Sequence, residues 1–262
     1  MDILTLGSKS SDIKLLCKFL HIPETSVFDN SVELKVKNYQ KSAGLFADGI
    51  VGYNTWKSLL IQYRNDNHYS DSITDWDYTY FSKLLGCEPA ALKAVQEVET
   101  GGKGGFLENK KPQILFEGHI FWKELKAIGL NPLNYLENNS NILYQKWDKT
   151  KYYGGIREWE RFEKASKISF RAAIRSTSWG MFQIMGNNYK NCGCDSVEDF
   201  YNKMCKNSFN QFVLGLEFIK RSGLLKYLKN KDWANFAKGY NGSGYKINQY
   251  DTKLEKSYKK YK

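Results

Sequence analysis

The 262-residue sequence is poor in histidine (three), proline (four) and methionine (four), and its five cysteines are an odd number. An odd count in a chain of this size argues against a secreted disulfide framework. Cys192, Cys194 and Cys205 lie close in sequence, but no histidine accompanies them and the paired CxxC spacing of zinc sites is missing. Free thiols are therefore expected, with no metal and no cofactor. The opening MDILTLGSKSSD lacks a basic segment followed by an apolar core. No run approaches the roughly 18 apolar residues needed to cross a bilayer. A soluble protein without a signal peptide or transmembrane segment is the expectation. Repeats and low-complexity stretches are also missing, apart from a lysine-rich end.

Positive charge and aromatic rings are abundant. The formal net charge is +11, and it is unevenly spread: residues 1–66 hold eight Lys/Arg against seven Asp/Glu, and residues 67–262 hold 31 against 21. Such a balance suits a polyanionic partner, whether nucleic acid, anionic lipid or an acidic wall polymer. No zinc finger, RNA-binding motif or recognition helix supports nucleic acid. Eighteen tyrosines and seven tryptophans offer flat faces with polar edges, suited to core packing and to stacking on sugar rings.

Apolar spacing predicts a small helical bundle first. Ser10 or Ser11 can cap a helix carrying Ile13, Leu16, Phe19 and Leu20, and a second helix runs from about Ser31 to Ser42 with Val32, Val36 and Tyr39 inward. Gly44 is suited to a left-handed cap, Asp48 to Gly52 form a turn, and a third helix starts near Asn54 or Thr55. The polar residues that follow, including His68 and Ser70, read as a linker. The expected division is a domain over 1–62, a linker over 63–75 and a larger domain over 76–262. Helical patterning in the larger part recurs over 76–85, 89–99, 116–125, 157–174, 196–206 and 208–220, with shorter pieces after Gly223 and Asp232. One short strand is expected at 113–116, so the class is mainly α, with a minor β component (α+β).

Within the 89–99 helix, Leu92, Val95 and Glu99 fall on one stripe, so Glu99 faces inward just before a glycine-rich break. Glu97 lies about 200° around the helix and points the other way. An inward carboxyl that loses water has a raised pKa and stays protonated near neutrality, as a general acid must. Taken alone, the stretch favours a structural role, a helix-end carboxylate paired with a lysine. Gly101, Gly102, Gly104 and Gly105 follow no strand and do not match GxxxxGK[ST], so they form a turn beside Glu99 rather than a phosphate cradle.

Two sets of motifs carry a resemblance. The leading LTLG, the Tyr39-Gln40 pair and the DGIVGYNTW loop from Asp48 to Trp56 resemble the peptidoglycan-binding domain family over residues 4–60. Four later blocks, AVQEVETGGKGGF (94–106), KPQILFEGHIFWKEL (111–125), STSWGMFQIMGNNY (176–189) and FAKGYNGSGY (236–245), resemble the N-acetylmuramidase domain of phage endolysins, within the lysozyme-like superfamily. The resemblance implies a three-helix wall-binding bundle followed by a lysozyme-like catalytic domain. It also implies bacterial peptidoglycan as partner, with Glu99 as the general acid cutting the β-1,4 bond between N-acetylmuramic acid and N-acetylglucosamine. Tyr39, Gln40, Asp48 and Trp56 then become candidate wall contacts. An endolysin of this kind waits in the host cytoplasm until a holin releases it to the wall.

Glycoside hydrolysis generally uses a second carboxylate. Glu117, leaving the short apolar strand, is the candidate, with a salt bridge or a contact to His119 as the alternative. Gln183 is suited to binding a sugar acetamido group or the attacking water, and Tyr240 and Asn241 to closing the sugar site. His119 is either a substrate contact or a hydrogen-bonded structural residue. The segment with Lys253, Lys256, Lys259, Lys260 and Lys262 suits an anionic wall or membrane surface, or simply a solvated helix end. A lytic transglycosylase with 1,6-anhydro products and a non-catalytic wall-binding protein are the competing readings.

Overall fold

Capped amphipathic runs give thirteen α-helices and one three-stranded sheet among the residues described, which in this computed structural model are 1–67, 71–102 and 104–262. Residues 68–70, including the linker candidates His68 and Ser70, and Lys103 lie outside that set. The chain separates into two compact units, Met1–Leu92 and Lys93–Lys262.

The first unit holds α1 (Asp12–Phe19), α2 (Asn30–Ser42), α3 (Tyr53–Asn67) and α4 (Asp75–Leu85). Ser10 serves the start of α1, accepting from the Asp12 N–H at 3.1 Å, whereas Ser11 makes no capping bond. Asp29 caps α2 by accepting from the N–H groups of Ser31 and Val32. Ile13, Leu16, Phe19, Val32, Val36, Trp56, Leu59 and Leu60 are buried together as the apolar stripes require. The polar stretch read as a linker is helical in its first part, since α3 continues to Asn67. The physical reason is a buried ion pair that polar composition alone does not reveal: Arg64 Nε donates to Asp77 Oδ1 at 2.8 Å, and Tyr63 stacks on Trp76. These contacts knit α3 to α4.

The unit boundary falls inside α5 (Pro89–Thr100). The second unit continues with β1 (Ile114–Phe116), α6 (Gly118–Ala127), α7 (Arg157–Ser166), α8 (Phe170–Arg175), β2 (Thr177–Trp179), β3 (Ile184–Met185), α9 (Val197–Lys206), α10 (Ser208–Arg221), α11 (Leu225–Asn230), α12 (Trp233–Asn241) and α13 (Tyr250–Tyr261). The helix expected over 157–174 is two helices, because Ser169 starts a new one by accepting from the Ala172 N–H. β1, β2 and β3 pair antiparallel in that order, with Phe116 opposite Thr177 and Trp179 opposite Ile184. Phe116, Phe121, Phe162, Trp179, Phe182, Phe200, Phe212 and Phe236 fill the interior around this sheet.

Candidate active site

α5 ends one residue after Glu99, and the ending is built by glycine. Gly101, Gly102 and Gly104 all take positive φ, a region closed to most side chains, and the Thr100 hydroxyl accepts from the Gly102 N–H at 3.1 Å. The Glu99 carboxyl thus sits in the last helical turn, at the negative end of the helix dipole. It is half-buried beside Tyr240 and Tyr250, and desolvation lifts its pKa to about 7. Asn241 opposes this shift: its Nδ2 donates to Glu99 Oε1 at 3.1 Å and favours the anion. Desolvation wins, leaving a carboxyl that holds its proton at neutral pH. Glu97 points elsewhere, as its phase requires. It accepts from Lys260 at 2.6 Å and from Ser257, and these donors lower its pKa.

Tyr240 and Asn241 end α12 beside this carboxyl. The Tyr240 hydroxyl donates to the Phe182 carbonyl at 2.7 Å, burial holds it protonated, and its ring stacks on Phe236. Asn241 Oδ1 is buried without a hydrogen-bond partner among the described residues. Phe182 lies in a helical turn over Gly180–Phe182, and a Cβ at Gly215 would strike its ring at 2.3 Å. Gln183 follows in a left-handed conformation, donating from Nε2 to the Gly180 carbonyl at 2.8 Å and to the Gln113 carbonyl at 3.4 Å. Its amide nitrogen is therefore occupied inside the fold.

Gln211, a residue that sequence patterning passes over, locks the loop after Glu99. It is fully buried, accepts from the Met181 N–H at 2.9 Å, and donates to the carbonyls of Gly105 at 3.2 Å and Met204 at 2.9 Å. Side chains at Gly105 or Gly180 would collide with it, at 2.0 and 2.6 Å. The only sequence signal is a polar residue interrupting the apolar face of α10.

Glu117 occupies a second polar cluster. Tyr152 donates its hydroxyl to Glu117 Oε2 at 2.5 Å, and His119 Nδ1 lies 3.3 Å from the same oxygen without hydrogen-bond geometry. Desolvation raises the pKa of Glu117 against the pull of Tyr152 and Arg161. Burial and nearby Lys123 lower that of His119, whose ring stacks near Tyr144. Beneath the cluster, Arg161 donates to Glu158 Oε2 at 2.7 Å, and both side chains are fully buried. Among the described residues, no hydrogen bond or ion pair joins Glu117 to Glu99.

Two of the four candidate wall contacts of the first unit are interior. Trp56 is buried, with its indole N–H donating to the Asp2 carbonyl at 2.8 Å. Gln40, also buried, accepts from the Gly49 N–H and donates to Asp48 Oδ1, the Ile50 carbonyl and Thr55 Oγ1. Both build the 48–56 loop from inside, and their side chains have almost no accessible surface. Asp48 shapes the same loop, and the half-buried Tyr39 bonds Ser58 Oγ through its hydroxyl at 2.7 Å. Among the described residues, no group of three His, Cys, Asp or Glu side chains is arranged to hold a metal ion. Burial raises the Cys192 thiol and lifts that of Cys194 to about 12, which favours thiols over ligand thiolates.

Comparison with known families decides the framework of this site. Residues 88–262 match the family model of the N-acetylmuramidase. The chain belongs to the N-acetylmuramidase family. Residues 14–59 match the peptidoglycan binding domain, so the chain joins an N-terminal peptidoglycan-binding domain to a C-terminal muramidase domain. No curated protein matches. The crystal structure of the Burkholderia AP3 phage endolysin is similar, at 32% sequence identity and a TM-score of 0.66, with 99% of each chain covered. The muramidase domain identifies a glycoside hydrolase acting on peptidoglycan, built on a helix-dominated, lysozyme-like fold. No helix among the described residues is long and apolar enough to cross a membrane.

Proposed function

We propose that this muramidase is an endolysin that hydrolyses the β-1,4 bond between N-acetylmuramic acid and N-acetylglucosamine in the host wall, with Glu99 as general acid. The observation that carries the reading is the Glu99 carboxyl itself, desolvated at a helix end and lifted to about 7. A carboxyl of that pKa donates its proton to the glycosidic oxygen as the bond lengthens, and positive charge builds on the sugar left behind. Asn241 steadies the carboxylate formed by that transfer. Glu117 is the second carboxylate in this scheme, activating water or facing the charged sugar from the end of β1. Gln183 faces the sugar with its Oε1, and His119 frames Glu117. The first unit holds the polymer through the surface around Tyr39 and Asp48, raising the local concentration of bonds to be cut. Release from the host cytoplasm requires a holin.

The neutral Asn241 beside Glu99 favours one competing reading. With no second carboxylate bonded to Glu99 among the described residues, the same glutamate, ionised once it has protonated the leaving glycosidic oxygen, takes the proton of the N-acetylmuramic acid 6-hydroxyl while that oxygen attacks C1, closing a 1,6-anhydro ring as the glycosidic bond breaks. Mass analysis of digested wall separates the two: reducing N-acetylmuramic acid ends are expected, and anhydro ends would replace hydrolysis with transglycosylation. Glu99→Gln should reduce wall lysis to background while the protein still sediments with purified wall. An active E99Q would remove Glu99 from the chemistry.

A further inference from the structure

The segment between α6 and α7, residues 128–156, contains only short 3-10 turns and is longer than most connections in a compact domain, where such length usually serves a function. Its distal part is not loose. Arg161 takes the Asn141 carbonyl at 3.1 Å and the Tyr144 hydroxyl at 3.1 Å, and Glu158 accepts from the N–H groups of Tyr153 at 2.6 Å and Gly154 at 3.0 Å. One buried ion pair therefore pins both ends of a short arch. At its crest stands Trp147, with 60% of its surface exposed, whereas Trp56, Trp159, Trp179 and Trp233 are buried. Exposing a large indole on a pinned loop forgoes the burial that usually stabilises tryptophan.

The indole is oriented rather than free. Its ring lies 6.4 Å from that of Tyr152, whose hydroxyl bonds Glu117. The Tyr152 ring thus links Trp147 to the Glu117 carboxyl. Exposed Lys146 and Lys149 flank the indole in sequence, while the solvent-facing Asp148 carboxylate is engaged by the Thr150 N–H and hydroxyl. A flat apolar face with two cations close by in sequence matches a pyranose ring with carboxylates near it, which describes an N-acetylmuramic acid unit whose lactyl group is amide-linked to a stem peptide bearing free carboxylates.

We propose that Trp147 is a glycan-stacking platform of the muramidase domain, gripping an acidic sugar unit beside Glu117, with Lys146 and Lys149 engaging its carboxylates. The inference rests on the muramidase reading and adds a binding residue to it. Initial rates of the full chain on purified peptidoglycan, measured against wall concentration for wild type, Trp147→Ala, Trp147→Phe and a K146Q/K149Q double variant, test it. W147A should raise the half-saturating wall concentration about tenfold, as loss of one anchoring aromatic does, with kcat within about twofold and an unchanged Tm. W147F should restore most of the affinity. K146Q/K149Q should weaken saturation at low ionic strength and converge with wild type at high salt. An unchanged half-saturation in W147A overturns the stacking role, as does a loss shared by W147F and accompanied by a lower Tm. An unshifted curve for the double variant overturns the carboxylate contacts. If wild type itself releases no sugar ends, the muramidase reading fails; if it cuts and W147A saturates identically, only this inference fails.

Discussion

At the scale of single residues, the proposed chemistry turns on how far burial outweighs hydrogen bonding at Glu99. Its folded pKa of about 7 stands above the ordinary 4.5, so the native state holds the proton over a range where the unfolded chain releases it. The sign follows directly: stability contributed by the protonated carboxyl is complete below about 4.5 and is lost as pH rises through about 7, at a cost on the order of 3 kcal/mol. Glu99→Gln removes that cost. Thermal melts should therefore show E99Q more stable than wild type at pH 8 and nearly equal to it at pH 5. Activity should fall as pH climbs through about 7, because the acid must begin protonated. Asn241→Ala deletes a donor that favours the anion, so its rate profile should extend to higher pH even as its maximum falls. The inward facing of Glu99 was legible in the sequence because helical phase reports which way a residue faces. Gln211 was not, since its meaning comes from Gly105, Met181 and Met204, which are remote from it in sequence.

At the scale of elements, the loop after α5 depends on a buried amide that replaces missing backbone partners. Gln211→Leu would leave the Met181 N–H unpaired in the interior and take a donor from the Met204 carbonyl, while the Gly105 carbonyl keeps the Gln113 N–H, an expected loss of roughly 1–3 kcal/mol. Gly105→Ala drives a methyl into the same amide and should lower both Tm and wall-cutting rate, read by calorimetry and turbidity clearing. The long helices and β1 were readable from periodicity. β2 and β3 were not, since strands of three and two residues are too short to show alternation, and their pairing is set by Gly180 and the turn that follows. The split between α7 and α8 was missed for a related reason: the apolar pattern continues across a chain reversal that only the Ser169 cap marks. The Tyr39-Gln40 and Asp48 to Trp56 motifs pointed to the right family, and within it Gln40 and Trp56 are buried where they hold the loop together.

At the scale of the whole molecule, a chain of net charge +11 meets an acidic polymer, and the positive charge is not uniformly available. Lys259 and Lys260 are engaged by Glu255 and Glu97, whereas Lys253 and Lys256 are exposed along α13. Replacing Lys253 and Lys256 by glutamine should slow lysis at low ionic strength, with the difference vanishing near 1 M salt, where screening extends to about 3 Å. Equal slowing at every salt concentration would assign these lysines a folding role instead. The domain order was legible because each family signature is local, but the internal boundary was not. Burial of Arg64 against Asp77 makes part of an apparent linker a structural element.

α13 carries one more consequence. Leu254 and Tyr258 are buried, Trp233 packs on Tyr258, and Ser257 and Lys260 hold Glu97 two residues from the acid, while Asn241 reaches Glu99 itself. The surroundings of the Glu99 carboxyl are therefore assembled from helices remote from it in sequence, so its raised pKa exists only where α12 and α13 are packed, and local unfolding of that pair returns it toward the ordinary 4.5.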